Sequence, residues 1–231
     1  MVVFHRVERK FPVEPKSTEF LVAWLGHACR RATVFPVGQV TSCYYDTDDW
    51  DCYFESVDGD FEKTKVRLRW YDDLPASGQV TAYVEAKQKS GAATWKRRTP
   101  VTLDPELLRA GRFDEALPAP DLQRALATAG IIDKRRLRPA VVITYRRHRF
   151  VDRGSGTHVA LDREIEAWPV VSSLDPRRTR FPAAVLEVKG STIELPARFS
   201  PLRRWVSVWS SHSKYAMAVE MLRRETRPAG F

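Results

Sequence analysis

The segment "VLEVKG", residues 185–190, sets Glu187 and Lys189 two positions apart among apolar neighbours, and four other segments repeat the pattern. Residues two apart on a β-strand point to the same face. Glu8 and Lys10 alternate in "VERKF", Lys65, Arg67 and Arg69 in "KVRLRWY", Glu85, Lys87 and Lys89 in "VEAKQK", and Arg147 and Arg149 in "TYRRHRF". The positions between them include Val66, Leu68, Val84, Ala86 and Val188. Such strands build an antiparallel sheet with one apolar and one charged face. Usually the charged face meets water. Here the chain also offers helices whose apolar stripes need the apolar face, while cations outnumber carboxylates on the other. Closing the sheet into a barrel puts that charged face in a lumen, where it surrounds a polyanion. An empty lumen of this kind would repel itself.

The 231 residues, 43% of them hydrophobic, suffice for a substantial core, and a single domain over 1–231 is expected because no linker, repeat or low-complexity tract divides the chain. A formal net charge of +9 calls for an anionic partner: nucleic acid, a membrane surface or a phosphorylated small molecule. Cys29, Cys43 and Cys52 form no CxxC pair, so neither a disulfide framework nor a zinc site is expected, and a reducing cytoplasm fits. No apolar run approaches the roughly 18 residues of a membrane span, so a soluble, untargeted protein without a membrane segment is expected.

Along the chain, a first strand is predicted over 2–11, broken by Pro12 and Pro15, then a helix from Ser17 to Ala32 with Phe20, Leu21, Trp24, Leu25 and Ala28 as its stripe. "TSCYYDT" predicts a strand. Residues 53–71 predict an extended or turning entry, with the turn at Asp58-Gly59, into the strand ending near Tyr71. Hairpins are expected about Ser90-Gly91 and about "RGSG". Between them Asp104 and Pro105 open a short helix ended by Gly111, and a second runs from Asp121 to Ala129 before Gly130. Ser200-Pro201 opens a helix bearing Trp205, Val208 and Trp209, and "SKYAMAVEMLRRE" makes the last one.

Taken in order, "VERKF", "YYDT", "KVRLRWY", "VEAKQK", "WKRRTPV", "TYRRHRF", "LDREI", "VLEVKG" and "SKYAMAVE" resemble the VTC domain. This is the catalytic domain of vacuolar transporter chaperone polyphosphate polymerases, within the CYTH and triphosphate tunnel metalloenzyme superfamily. The resemblance implies an α+β fold, an eight-stranded antiparallel β-barrel tunnel with helices packed outside and at one mouth. It implies phosphate ligands at Lys10, Arg67, Arg69, Lys87, Arg147, Lys189 and Lys214, with Lys96 and Arg98 on the same wall. Of these, Arg67, Arg69, Lys87, Lys189 and Lys214 are expected to act in catalysis. Glu187 is implied as ligand to a divalent Mn or Mg ion; Glu8 and Glu85 either bind metal too or position the cations. Asp162 is a candidate partner for a lumen cation. Two positions depart from the family's pattern: Arg6 stands where tunnel triphosphatases carry a first glutamate, and His158 stands where VTC polymerases tend to have arginine.

Arginine grips phosphate through a planar fork and lysine through a compact charge, and a hard cation on a glutamate can bridge to phosphate. The leading expectation is therefore a metal-dependent phosphotransferase that moves the terminal phosphoryl of ATP onto inorganic polyphosphate. Alternatives are hydrolysis of inorganic or nucleoside triphosphate in the same tunnel and a non-catalytic polyphosphate-binding module. Nucleic acid is not expected as a partner, because no RRM, zinc-finger or helix-turn-helix signature accompanies the basic residues.

Overall fold

Polar and apolar residues alternate along Val7–Val13, Glu62–Tyr71, Val80–Ser90 and Ala184–Gly190, and in the computed structural model, which describes residues 7–91, 93–190, 194–206 and 213–225, the long strands form one antiparallel sheet. In chain order the elements are β1 (Val7–Val13), α1 (Thr18–Ala28), β2 (Cys29–Arg31), β3 (Val37–Asp46), α2 (Asp51–Val57), β4 (Glu62–Tyr71), β5 (Val80–Ser90) and β6 (Ala93–Leu103). There follow α3 (Pro105–Arg109), α4 (Phe113–Ala116), α5 (Ala119–Thr128), β7 (Arg138–Asp152), β8 (His158–Pro169), β9 (Thr179–Arg180), β10 (Ala184–Gly190) and α6 (Lys214–Glu225). Eight strands follow the order β1-β10-β8-β7-β3-β4-β5-β6, with β2 paired to β7 and β9 to β8. This is the α+β, eight-stranded antiparallel architecture expected of the tunnel fold.

The chain divides into two compact units. The first comprises Met1–Gln39, Tyr145–Ile165 and Arg180–His212. Its core gathers the apolar faces of β1, β10 and β8 (Phe11, Val13, Leu186, Val188, Val159, Leu161) against Leu21 and Leu25 of α1 and against Phe199 and Leu202 of a 3-10 segment, Ala197–Arg204. The opposite face carries Glu8, Lys10, Glu187, Lys189 and Asp162, because Glu8 lies across from Lys189, Lys10 from Glu187, and Val185 from Asp162.

The second unit comprises Val40–Thr144, Glu166–Thr179 and Ser213–Phe231. Here α5 packs on β5 and β6, and α2 on β4 and α6. Leu122 and Leu126 of α5 and Val66, Leu68, Val84 and Ala86 of the strands are all buried. Arg97 reaches from β6 to the last turn of α5, its Nη1 donating to the carbonyls of Ala129 at 3.0 Å and Gly130 at 3.2 Å. Gly130 ends that helix at φ +70°, and a Cβ there would stand 2.4 Å from Arg97 Nη1.

Several expectations change. Pro12 does not break β1, which runs to Val13. The first helix ends at Ala28, four residues early, because Cys29–Arg31 pairs with β7 instead. Phe20 is 72% exposed and leaves the helix stripe. The start of the stretch expected as an extended or turning entry, from Tyr53, instead belongs to a helix over residues 51–57. The reason is Asp46, at the end of β3 and only 1% exposed, whose carboxylate accepts from the backbone N–H of Cys52 (2.8 Å) and Tyr53 (3.0 Å) and so caps α2 from outside the helix. Arg6, Val208 and Trp209 lie outside the described residues.

The Asp46 carboxylate also accepts from the Thr47 N–H at 2.8 Å and from the Tyr215 hydroxyl of α6. One buried carboxylate thus ties together a strand and two helices. Asp46→Ala removes the cap and leaves buried donors without an acceptor, so unfolding in urea should show a loss of about 2–4 kcal/mol. A loss below about 0.5 kcal/mol would mean that α2 and α6 are held by packing alone.

Candidate functional site

In the second unit the antiparallel register lines up polar side chains in rows across β3, β4, β5 and β6. Tyr44 faces Arg67, which faces Glu85, which faces Arg98; one row over, Ser42 faces Arg69, which faces Tyr83. On the other side of that row Lys65, Lys87 and Lys96 stand abreast. Glu85 is the hub of the cluster, with 1% exposure. Its Oε2 accepts from Arg67 Nε at 2.8 Å and Nη2 at 2.6 Å and lies 3.6 Å from Arg69 Nη1, while Oε1 lies 3.0 Å from Lys96 Nζ. Arg69 donates through Nε to Ser42 Oγ at 2.9 Å. Burial by itself would raise the Glu85 carboxyl, but Arg67, Arg69 and Lys96 outweigh it and hold the group down at about 2. Lys96 is pushed down to about 8 by burial and by Arg67, against the pull of Glu85.

The far edge of this cluster is aromatic. Arg67 Nη1 donates to the Tyr44 hydroxyl at 2.9 Å, and the Tyr44 ring stacks on Tyr215 of α6 with centroids 5.0 Å apart and planes at 14°. Lys214 begins the same helix. Burial would raise the Tyr44 phenol, yet Arg67, Arg69 and Lys214 bring it down to about 8. Arg98 is exposed and lies over the Tyr83 ring at 4.8 Å.

In the first unit Arg147 plays the part that Arg67 plays in the second. Its Nε donates to Asp162 Oδ1 at 2.6 Å, and its Nη2 donates to Asp162 Oδ2 at 2.7 Å and to Glu187 Oε2 at 3.2 Å. Asp162 has no exposed surface. Burial would lower the Arg147 guanidinium, but Asp162, Tyr145 and Glu187 keep it raised. Glu187 Oε1 pairs with Lys189, whose Nζ also lies 3.7 Å from Glu8; Lys10 is 3.1 Å from Glu8. A cavity of about 440 Å³ opens here, lined by Arg147, Glu187 and Lys189 together with Arg30, Arg149 and His158.

The residues expected as phosphate and metal ligands therefore fall into two groups. Glu8, Lys10, Arg147, Glu187 and Lys189 lie together in the first unit, and Arg67, Arg69, Glu85, Lys87, Lys96, Arg98 and Lys214 in the second. Cations outnumber carboxylates in these groups, as expected, and Glu85, Asp162 and Glu187 are placed so that each meets one or more of the cations. Asp162, weighed as a cation partner, is the bidentate support of Arg147. Glu85 sits wholly among cations, which favours positioning over metal binding for that residue. Tyr44 and Ser42 were not singled out from sequence, although Ser42, Tyr44 and Asp46 alternate on β3 just as the charges do on its neighbours. His158, which stands in for the family's arginine, does line the cavity, across from Lys189 in the register.

Among the described residues, no group of three or more His, Cys, Asp and Glu side chains could cage a metal ion. Glu187, with Glu8 near the same lysine, offers one or two carboxylates, a donor set that suits a divalent ion completing its shell with phosphate and water. All three cysteines are buried thiols, and no helix among the described residues is long and apolar enough to cross a membrane.

This geometry agrees with the sequence comparison. The profile of the VTC domain matches residues 5–223, across both compact units, and the chain belongs to that family. No curated protein matches the sequence. Among solved structures the chain is similar to two bacterial proteins provisionally described as adenylate cyclases. The one from Bacillus halodurans is 16% identical, with 81% of each chain covered and a TM-score of 0.46. The other, from Vibrio parahaemolyticus, is 14% identical, with 91% of this chain and 95% of that one covered and a TM-score of 0.47.

The depressed Glu85 carboxyl makes a signed prediction about acid stability. A group whose folded pKa lies below its unfolded value contributes stability that is complete above the unfolded value and is lost as pH falls through the folded one. The stability gap between the wild type and Glu85→Gln should be constant above about pH 5 and shrink as pH falls toward about 2. Urea unfolding across that range measures it. A gap that does not change with pH would mean that Glu85 carries no net pairing energy.

Proposed function

We propose that the protein is a metal-dependent phosphotransferase that takes the terminal phosphoryl of ATP and adds it to inorganic polyphosphate, and we place it in the cytoplasm. The observation that carries this reading is the setting of Glu187. Its carboxylate, 5% exposed, stands between Arg147 and Lys189 on the wall of the cavity of about 440 Å³. Phosphoryl transfer needs positioned charge more than a covalent catalyst, and both clusters supply positioned charge.

In this reading the carboxylates do the positioning. Asp162 holds the Arg147 fork in one plane, and Glu85 does the same for Arg67 and Arg69, so the cations meet phosphoryl oxygens with little further ordering. Lys10, Lys87, Lys96, Arg98, Lys189 and Lys214 add point charges along the two faces. Glu187, with Glu8 beside Lys189, would hold the Mn or Mg ion, which when bound neutralises charge on the phosphoryl oxygens. Arg30, Arg149 and His158 extend the same wall.

Hydrolysis of triphosphate differs only in the acceptor, water instead of polyphosphate. Incubating the pure protein with ATP and Mn or Mg, then resolving products on a gel while measuring phosphate release, separates the two. A ladder of chains without matching phosphate release is expected; phosphate release alone would assign the protein as a triphosphatase. Glu187→Gln should lower metal-dependent turnover by about two orders of magnitude or more while tripolyphosphate still binds without metal. Full turnover in that variant would remove Glu187 as the metal ligand.

Lys96 adds a proton signature. Burial and neighbouring cations hold it at about 8 in the ligand-free protein, and a bound polyanion offsets those cations. Tripolyphosphate binding near pH 8 should therefore take up protons, detected as a dependence of the calorimetric enthalpy on buffer ionisation heat. Lys96→Met should reduce the uptake. An enthalpy that is the same in every buffer would show that no phosphate reaches this lysine.

A further inference from the structure

The Tyr44 hydroxyl is 2.9 Å from Arg67 Nη1, from which it accepts a hydrogen bond. Its own proton remains to be donated, and among the described residues the hydroxyl makes no hydrogen bond other than the one it accepts from Arg67. Tyr44 is only 7% exposed, so water offers little compensation, and a buried donor without an acceptor is costly. Its ring cannot turn away cheaply, because it is stacked on Tyr215, whose own hydroxyl is committed to Asp46.

The neighbouring Tyr45 provides the contrast. It is buried as well, and among the described residues its hydroxyl has no hydrogen-bond partner, but it lies on the apolar face, opposite Val66, and its phenol is pushed up by burial, with Cys43 and Asp114 adding to the effect. Neither of those two groups is a cation that would hold an anion. Around Tyr44, by contrast, β4 contributes Arg67 and Arg69 and α6 contributes Lys214. The other charged or titratable groups of this cluster include Glu85, Lys87 and Tyr83 on β5, Lys96 and Arg98 on β6, Lys65 on β4, Asp46 on β3 and Tyr215 on α6.

We infer that the Tyr44 hydroxyl donates to a phosphoryl oxygen, so that Tyr44 and Arg67 together form a grip on one phosphoryl group of a triphosphate or polyphosphate. The assignment rests on the phosphate-binding reading of this face and adds a neutral donor to its cations. A neutral donor suits this place: it holds phosphate without adding to the repulsion among Arg67, Arg69 and Lys214 when the site is empty. Arg67, fixed by Glu85 on one side, in turn orients the phenol oxygen.

The test is calorimetric titration of tripolyphosphate into the wild type, Tyr44→Phe and Tyr45→Phe. Tyr44→Phe keeps the ring and the stack and should weaken binding roughly tenfold or more, as expected for loss of a hydrogen bond to a charged group. Tyr45→Phe should bind as the wild type does. Equal affinity in Tyr44→Phe and the wild type would overturn the assignment while leaving the phosphate site intact. Absence of binding by the folded wild type would instead defeat the phosphate-binding reading, and this inference with it. A second readout needs no variant: in alkaline titration followed by tyrosinate absorbance, saturating tripolyphosphate should move one phenol upward from about 8. A profile unchanged by ligand would count against the hydrogen bond.

Discussion

A carboxylate with almost no contact with water cannot stay ionised unless cations surround it, and Glu85 meets that requirement through Arg67, Arg69 and Lys96. The constraint runs in both directions. Arg69, itself 5% exposed, is held in place by the same carboxylate and by Ser42. Removing one member strands the others, at a cost of about 3–5 kcal/mol for a buried pair. The arrangement also depends on register: a slip of one residue would send Arg67 and Glu85 to the apolar face and Val66 and Val84 into the charges. The pairing of β4 with β5 is therefore fixed by its polar face as firmly as by its core.

The first unit solves the same problem with a different division of labour. Asp162 is committed to Arg147, whereas Glu187 is shared between Arg147 and Lys189 at the edge of a cavity. A carboxylate that is fully engaged serves as a scaffold; one that borders open space can exchange a cation contact for another ligand. This difference, rather than residue type, separates Glu187 from Glu85 as a candidate metal ligand. Helices cover the apolar face in the first unit, while in the second α6 also reaches the polar face through Tyr215.

Much of this was legible in the sequence because alternation on a strand is a strong signal, and it survives when read segment by segment. The strands around Arg67, Glu85, Arg147 and Glu187 and both hairpins follow from it, while the helix opened by Asp104 follows from its capping residue, whose side chain accepts from the Glu106 N–H at 2.7 Å. What escaped depends on contacts distant in sequence. The cap of α2 comes from Asp46 in the preceding strand, so no capping residue adjoins the helix to announce it. The shortened α1 reflects competition from β7, far along the chain. The match of cations with carboxylates could not be counted from composition, since it is set by which rows face one another. Tyr44 escaped for the same reason: its alternation with Ser42 and Asp46 was visible, but its proton's need of an acceptor appears only once Arg67 and Tyr215 are in place around it.

The proposed function requires that the charged faces bind phosphate. Thermal unfolding with and without tripolyphosphate, at constant ionic strength and without metal, tests it most directly. Ligand at a hundred times its dissociation constant stabilises the native state by about 2.7 kcal/mol, enough to raise the melting temperature by several degrees. The account predicts a saturable rise of that size, absent when sulfate or chloride supplies the same ionic strength. A melting temperature that tripolyphosphate leaves where the other salts leave it would contradict the account.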